Sequence, residues 1–304
     1  MSSLAKYLQI PSSLYLHEPY RPLYEALPRL PWPALDRATG SRLAAARRRL
    51  QDAIQVHGLR IQAREELAGV RAYDQVLVNS YFSRESVLRS YGIDATVCYL
   101  GVDIDRYQDK GLSCKRLVVG VGAFIPEKRV EVIIEAVARL KTPRPELAWI
   151  GNAEDPSYLR GIVELARRRE VTFTPLRNIS HEQVVQVLNE AAVLAYAPRL
   201  EPFGYPPLEA GACGLPVVAQ AEGGVRETVV DGETGLLVES DRELPFALQQ
   251  ILDDPELARR LGAAARRRVQ SVWSLPAATD RLESQLMQLV KAGSKPPNVQ
   301  ARPA

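Results

Sequence analysis

The sequence has few cysteines, no large excess of one charge and no long apolar run. Its three cysteines, Cys98, Cys114 and Cys213, are odd in number and far apart, which fits neither a disulfide framework nor a zinc site. The 304 residues include 39 basic and 36 acidic side chains. The broad positive field of a dedicated nucleic-acid binder is therefore missing, and nucleic acid is not an expected partner.

The longest apolar stretch, Leu117 to Pro126, is about half of the roughly 18 to 20 residues that a bilayer span requires. The first residues lack a basic segment followed by an apolar core and a small-residue cleavage site, so no secretory signal is visible. With cysteine so sparse, we expect a cytoplasmic protein that meets any anionic partner locally.

From Arg116 onward, β-branched runs alternate with helical patterns, which is typical of parallel βαβ units. The first helix of this half is predicted to open at Pro126, with Lys128 in its first turn. We predict strands at Arg116–Gly122, Glu146–Gly151, Val171–Thr174, Ala192–Ala197 and Leu215–Ala219, with further helices at Pro156–Arg169, Ser180–Glu190 and Pro206–Cys213. Ligands bind such sheets at the carboxyl ends of the strands.

The first hundred residues follow the same pattern with fewer units. We predict strands at Leu14–His17, Gln75–Ser80 and Thr96–Leu100, and helices at Ser41–Ala72 and Ser83–Gly92. The aperiodic, polar segment Gly101–Lys115 is the predicted linker. The predicted domains are a partial Rossmann-like domain over 1–103, a ligand-binding Rossmann-like domain over 104–274, a helix over 275–291 that packs back toward the first domain, and a disordered tail over 292–304.

The segment Ala197 to Val238 carries most of the chemical information. Glu201 follows a predicted strand, and Glu209 lies about one turn inside the next predicted helix. A helix N-terminus presents unpaired N–H groups and a partial positive charge, which together bind anions. Two carboxylates around such a site would compete with an anion unless they accept hydrogen bonds from hydroxyl groups attached to it. A nucleotide sugar has this combination of diphosphate and hydroxyl groups.

Lys128 has two interpretations. A cation in the first turn of a helix is disfavoured by roughly 0.3 to 1 kcal/mol unless an anion lies nearby. The neighbouring Glu127 could offset that cost in a solvated surface residue. The position of Lys128 just after a strand that contains Gly120 and Gly122 favours phosphate binding instead.

Three strings, VGAFIPEKRVEVIIEAVARL, EPFGYPPLEAGACGLPVVA and EGGVRETVVDGETGLLV, closely resemble the nucleotide-sugar-binding half of retaining GT-B glycosyltransferases, specifically glycosyltransferase family 4. Glu201 and Glu209, with seven residues between them, match the two-glutamate motif of that family. The resemblance implies an α/β, GT-B-like fold in which two Rossmann-type domains face a cleft, the N-terminal one incomplete in this sequence. It implies a hexosyltransferase-type enzyme of polysaccharide or glycolipid biosynthesis, without a metal or other cofactor.

The same resemblance implies roles for individual residues. Glu201 would contact donor-sugar hydroxyls, Glu209 would accept both ribose hydroxyls, and Lys128 would hold the diphosphate. His17, in the first domain, would lie beside the reacting sugar; the alternative is an imidazole satisfied at a strand end. The remaining positions implied at the donor site are the backbone of Phe203, Gly204 and Tyr205, the glycine turn at Gly122 and Ala123, and a base-binding segment near 175–179.

The sequence departs from the family at two places. The family usually has an arginine where this chain has Ala123, and Arg129, Arg199 or Arg226 are candidates to replace it. A complete GT-B enzyme also has about three more N-terminal βα units, so we expect roughly a hundred residues to be missing. The alternative function is accordingly a truncated or non-catalytic remnant that binds nucleotide sugars.

Other candidate sites have simpler interpretations. Asp103 and Asp105 resemble a metal-binding DxD motif but fall in the predicted linker, and His57 and His181 lack ligand-like partners. A generic dehydrogenase is excluded because no G-x-G-x-x-G with a following acidic residue is present. The predicted helix 41–72 could contact anionic membranes if the acceptor is a lipid, although a solvated face is the simpler interpretation. Its seven arginines are Arg42, Arg47, Arg48, Arg49, Arg60, Arg64 and Arg71.

Overall fold

The structure, a computed structural model, describes residue 7, residues 10–19, residue 24 and residues 42–293. These residues form two compact units, one of residues up to Cys98 together with those from Leu282 onward, the other of Tyr99–Arg281. The segment 101–115, predicted as a linker, belongs to the second unit. The predicted disordered tail lies outside the described residues from position 294 onward.

The first unit contains a parallel sheet of three strands in the order β1-β2-β3. These strands are β1 (Ser13–Leu16), β2 (Gln75–Val78) and β3 (Thr96–Val97), with the helices α1 (Arg42–Arg71) and α2 (Tyr81–Tyr91) between them in the chain. The third strand is shorter than predicted, although the N–H of Cys98 still donates to the carbonyl of Val78. Val70, Val78, Val87 and Tyr91 are among the buried residues of its core.

The second unit is built on a parallel sheet of six strands in the order β6-β5-β4-β7-β8-β9. The strands are β4 (Leu117–Val121), β5 (Glu146–Gly151), β6 (Phe173–Arg177), β7 (Val193–Tyr196), β8 (Val217–Gln220) and β9 (Gly235–Val238). The order reverses between β4 and β7, which is the topological switch point where doubly wound sheets bind ligands. The α/β fold predicted from the sequence is confirmed.

Eight helices follow one another along the second unit's chain, the last of them continuing past Arg281. They are α3 (Val130–Ala138), α4 (Pro156–Arg168), α5 (His181–Glu190), α6 (Tyr205–Ala212), α7 (Val225–Thr228), α8 (Leu244–Asp253), α9 (Pro255–Val272) and α10 (Leu275–Ala292). The sheet separates two apolar clusters, one around Ile133, Leu147 and Leu248 and the other around Leu188, Leu194 and Leu215. Burial on both faces explains why the strands are almost continuously apolar.

Most predicted bounds in this unit differ from the structure by one or two residues, and two differ by three or more, for identifiable reasons. The strand predicted at Val171–Thr174 is β6, which continues through Pro175 because an edge strand can lose one backbone donor. The helix predicted from Pro126 begins only at Val130. Pro126–Lys128 form a single 3₁₀ turn, and Arg129 has a left-handed φ of 53° that separates this turn from α3. The strand β9 was not predicted at all.

Candidate functional site

Two loops meet at the switch point of the second sheet. One loop follows β4 and carries Lys128, and the other follows β7 and carries Glu201. The Nζ atom of Lys128 lies 2.6 Å from Oε2 of Glu201, and the two side chains are 26% and 17% exposed. The backbone N–H of Arg199 also donates to the carbonyl of Glu127 across the same gap. The fold therefore places a paired cation and carboxylate at the ligand-binding edge of the sheet, 73 residues apart in the chain.

Glycines allow the backbone to pack tightly behind this ion pair. Gly223 has a φ of 62°, and a Cβ atom there would lie 2.3 Å from the carbonyl oxygen of Glu201. A Cβ at Gly224 would lie 2.2 Å from the carbonyl oxygen of Pro202, and the Gly224 N–H donates to the Glu201 carbonyl. Leu200, just before Glu201, is held at a φ of 51°. Close contacts with the neighbouring backbone therefore hold this loop in its conformation, as happens at sites that store backbone strain.

The helix α6 begins beside Glu201, and Gly204 is its N-cap at a φ of 90°. The first N–H groups of a helix have no intrahelical acceptor, and Pro206 and Pro207 carry no N–H group. The amides that this helix end can offer an anion are therefore concentrated at Gly204 and Tyr205. Phe203 is buried, and its ring packs against the rings of Trp273 and Tyr205.

Glu209 lies in the second turn of α6. Its Oε1 accepts a hydrogen bond of 2.8 Å from the hydroxyl of Tyr107, whose ring packs edge-on against His181. Burial raises the pKa of Glu209, and the Tyr107 hydrogen bond opposes that rise. Tyr196, at the end of β7, is fully buried, and burial followed by the charges of Glu201 and Glu209 raises the pKa of its hydroxyl. The charges of both glutamates thus act on one buried phenol.

Gly122 and Ala123 follow β4, as the sequence predicts. A Cβ at Gly122 would lie 3.1 Å from Cγ of Lys128, so the missing side chain leaves room for the lysine stem. Of the three candidate arginines near Ala123, Arg129 is buried and donates to the Ala197 carbonyl, to Gln220 and to Asp241. These hydrogen bonds connect the segments at the ends of β7, β8 and β9. The guanidinium of Arg129 is therefore already engaged and is not available to bind a phosphate.

The other two arginines differ in their engagement. Arg226 donates from Nε to the Ala221 carbonyl, whereas the side chain of Arg199 is exposed. Pro175 and Arg177 belong to β6 itself, so of the predicted base-binding segment only Asn178 and Ile179 lie beyond the strand end. Asn178 has a φ of 51°, and its N–H donates to the Gly151 carbonyl.

His17 lies in the first unit, directly after β1. Its side chain is exposed, and its Nδ1 atom is 3.3 Å from the amide of Asn79, which directly follows β2. The ring of Tyr15 lies beside it at a centroid distance of 5.5 Å. The structure therefore places His17 at the carboxyl edge of the first sheet.

The remaining candidate residues from the sequence either stabilise local structure or have no role that the structure identifies. Asp103 accepts from the N–H groups of Asp105 and Arg106, which stabilises a turn. Within the described ranges, no group of three or more His, Cys, Asp or Glu side chains could hold a metal ion. No helix in those ranges is long and apolar enough to cross a membrane. His57 is exposed, whereas His181 packs on Tyr107 instead of lying free on the surface.

Sequence reasoning missed Tyr107, Tyr196 and the Asn79 contact of His17. Tyr107 is 102 residues from Glu209 in the chain, and no local pattern could connect them. Tyr196 ends the strand immediately before the glutamate motif, so the sequence alone could have indicated that Tyr196 lies near the site.

Comparison with known proteins matches residues 105–268 to a family described as "Glycosyl transferases group 1". An alpha-maltose-1-phosphate synthase of Mycolicibacterium smegmatis is 30% identical over 241 residues, covering 69% of this chain and 62% of that protein. A D-inositol 3-phosphate glycosyltransferase of Streptomyces avermitilis is 30% identical over 67% of this chain and 50% of its own length. The chain thus spans about half to three fifths of the length of these curated relatives.

Among solved structures, sucrose-phosphate synthase from Thermosynechococcus elongatus matches with a TM-score of 0.69 and 30% identity, over 77% of this chain and 62% of that one. That protein is a glycosyltransferase of GT-B fold, which is the fold that the sequence resemblance implies for this chain.

Proposed function

The chain belongs to the family of group 1 glycosyl transferases, and from its site we propose that it transfers a sugar from a nucleotide-sugar donor to a hydroxyl group. The observation that carries this proposal is the Lys128–Glu201 pair at the switch point, beside the N-terminus of α6. A diphosphate requires a cation and free N–H groups, and a sugar requires hydrogen-bond acceptors. The cation, the N–H groups and the carboxylate acceptor all lie along the same edge of the second sheet.

Lys128 changes partner in this proposal. In the free protein its ammonium group is paired with Glu201. When the donor binds, the diphosphate becomes the partner of Lys128, and the Glu201 carboxylate is released to accept hydrogen bonds from sugar hydroxyls. The aliphatic stem of Lys128 packs beside Gly122, so the ammonium group can turn while the stem stays in place.

Glu209 holds the nucleoside in this proposal. Its carboxylate is buried in the second turn of α6, and the Tyr107 hydroxyl occupies Oε1. Accepting ribose hydroxyl hydrogen bonds favours the ionised carboxylate, which burial disfavours. We propose that Tyr107 offsets part of that cost by donating to the ionised form.

The proposed transfer retains the configuration at the sugar carbon. The bond between that carbon and the leaving diphosphate oxygen breaks, and a bond to the acceptor oxygen forms on the same face. The acceptor proton passes to the leaving phosphate oxygen, and Lys128 with the α6 amides stabilises the charge that develops there. The protein contributes positioning and electrostatic stabilisation, and no metal or other cofactor is required.

The donor class is tested by thermal stabilisation with UDP, GDP, ADP and their sugars. UDP-glucose is the first donor to test, because the HepE protein of Anabaena, which shares this fold at 21% identity and a TM-score of 0.68 over 74% of this chain and 67% of that one, was solved in complex with it. At about 100 times its dissociation constant a ligand adds about 2.7 kcal/mol of stability. The control for Glu209→Ala is Glu131→Ala, because Glu131 accepts a hydrogen bond from Tyr158 much as Glu209 does from Tyr107.

Stabilisation that Glu209→Ala abolishes and Glu131→Ala preserves is the expected result. If no nucleotide stabilises the protein, the donor-site assignment is wrong. Transfer itself is then measured as release of nucleoside diphosphate in the presence of sugar, lipid or small-molecule acceptors.

Binding without transfer is the second candidate function. It is favoured by Ala123, which stands where the family usually has an arginine, and by Arg129 and Arg226, which are engaged with internal acceptors. Tight nucleotide-sugar binding with no release of nucleoside diphosphate in the presence of any acceptor class would select this function.

If the acceptor is a lipid, we propose that α1 contacts the membrane surface in the cytoplasm. Leu50 and Ile54 are 63% and 64% exposed on this helix, and Arg47, Arg49 and Arg60 are exposed as well. Apolar and basic side chains together bind anionic lipid surfaces. Co-sedimentation with anionic but not neutral vesicles, reduced by Leu50→Ser with Ile54→Ser, is expected. Equal binding to both vesicle types would contradict it.

A further inference from the structure

A buried hydrogen-bond network connects the imidazole of His17 to α2. The Oγ atom of Ser83 lies 2.7 Å from the carbonyl oxygen of His17 and also 2.7 Å from Oδ1 of Asn79. Both of these oxygens are acceptors, but a serine hydroxyl carries only one hydrogen. Asn79 is 3% exposed and Ser83 is fully buried, so solvent cannot supply the missing donor. One short contact in this network is therefore left without a hydrogen.

Only one of the two contacts can be reversed. The main-chain carbonyl of His17 is an acceptor in every arrangement, so the Ser83 hydroxyl must donate to it. The amide of Asn79 can turn by about 180° about its last side-chain bond, which exchanges Oδ1 and Nδ2 with almost no change of shape. In the turned orientation Nδ2 donates to Ser83 Oγ, and both contacts are satisfied.

Ser80 is consistent with the turned amide. Its Oγ atom accepts from the N–H of Ser83 at 2.9 Å and lies 3.4 Å from the same Asn79 atom. The Nδ2 group has two hydrogens, so it can donate one to Ser83 and direct the other toward Ser80. Turning the amide therefore satisfies both short contacts of Ser83 and gives up only the 3.4 Å contact in which the Ser80 hydroxyl donates to Oδ1.

We propose that Asn79 is a positioning residue that fixes His17 as the Nδ1–H tautomer. With the amide turned, Oδ1 of Asn79 faces Nδ1 of His17 at the 3.3 Å separation of the two groups. A carbonyl-type oxygen requires a donor, so the ring proton resides on Nδ1. The Nε2 atom of this exposed residue then carries a lone pair, and His17 accepts a hydrogen bond there from a ligand hydroxyl group. The proposal concerns the free protein and does not depend on sugar transfer.

The tautomer is read directly by nitrogen NMR of the ¹⁵N-labelled full chain at alkaline pH. The sequence contains three histidines, so assignment by His57→Gln and His181→Gln is direct. We expect His17 to show a protonated Nδ1 and an unprotonated Nε2. Exposed His57 provides the reference for the ordinary equilibrium of a solvated ring. A protonated Nε2 on His17 in the unmodified protein would overturn the proposal.

Two variants then assign the cause. Asn79→Asp keeps an oxygen opposite Nδ1, but its second oxygen faces the Ser83 hydroxyl, so it is combined with Ser83→Ala; we expect this double variant to preserve the Nδ1–H form. Asn79→Leu has nearly the same shape without polar atoms, and we expect His17 to shift to the distribution of His57. Unchanged His57 and His181 signals report that both variants are folded. An Nδ1–H form that persists in Asn79→Leu would contradict the role of Asn79, whether or not the protein binds nucleotides.

Discussion

The strands β4 and β7 are joined by a lysine–glutamate pair at each end, and the two ends differ in what they can bind. At the amino end Lys115 pairs with Glu190, and at the carboxyl end Lys128 pairs with Glu201. Lys115 is 63% exposed, whereas Lys128 is 26% exposed. Exposed ion pairs contribute between about 0 and 1 kcal/mol to stability.

Helix polarity explains why only one end is suited to an anion. In a parallel sheet the helix N-termini gather at the carboxyl ends of the strands, and the helix C-termini gather at the amino ends. Glu190 is the last residue of α5, while Glu201 lies just before the first turn of α6. The same pair of residue types is therefore a surface contact at one end and part of a candidate diphosphate site at the other.

The largest expected effect comes from filling the glycine turn at the carboxyl end. Gly223→Ala places a Cβ 2.3 Å from the Glu201 carbonyl at a φ of 62°, so we expect a loss of about 3 kcal/mol in the free energy of unfolding and loss of nucleotide binding. Gly232→Ala is the matched control, because Gly232 has a φ of 70° and nothing within 4 Å. We expect it to cost about 1 kcal/mol, measured by urea unfolding. Equal costs would show that the turn is not tightly packed.

Removing each lysine compares the two ends directly. Lys128→Ala should weaken binding of a nucleoside diphosphate by about tenfold to a hundredfold, because a charge-assisted contact worth about 1.5 to 3 kcal/mol is lost. Lys115→Ala should leave that affinity unchanged. Calorimetric titration measures both. If the two variants bind equally well, Lys128 does not contact the diphosphate.

Tyr107→Phe tests the group that supports Glu209 at the carboxyl end. Removing its hydrogen bond lets burial raise the pKa of Glu209 further. When the pH is lowered, the variant should therefore lose nucleotide binding at a higher pH than the unmodified protein does. At acid pH we expect affinity to fall about fivefold, which corresponds to a hydrogen bond of about 1 kcal/mol.

The control for this variant is Tyr158→Phe, which removes the hydroxyl that donates to Glu131. Its pH profile of nucleotide binding should match that of the unmodified protein. Identical profiles for Tyr107→Phe and the unmodified protein would remove Tyr107 from the site. Among the described residues, the other titratable groups beside Glu209 or Tyr107 include Arg106, Tyr196, Tyr205, Cys213 and His181.

The smallest expected effect concerns stability without ligand. Burial raises the pKa of Glu209, so in the pH range between its unfolded and folded pKa values the folded protein retains a proton that the unfolded chain releases. The free energy of unfolding from this group therefore falls as the pH rises through that range. Glu209→Gln should remove this pH dependence. Above that pH range, the ligand-free variant should be as stable as the unmodified protein or more stable. Thermal unfolding across pH, with Glu131→Gln as control, measures the difference; lower stability in Glu209→Gln would contradict it.

The sequence by itself determined the parallel α/β fold, the order of most of its elements and the positions of Glu201 after a strand and Glu209 within a helix. These features depend on local periodicity and on turn residues close together in the chain. The start of α3 was misplaced because the left-handed backbone at Arg129 is held by contacts with distant residues.

Only the tertiary structure decided which side chains share the site. Lys128 and Glu201 are neighbours because β4 and β7 lie side by side where the strand order reverses, and strand order is a property of the assembled sheet. Tyr107 reaches Glu209, and Asn79 reaches His17, through contacts that connect residues 102 and 62 positions apart. Packing sets such contacts, and no short segment of sequence encodes them.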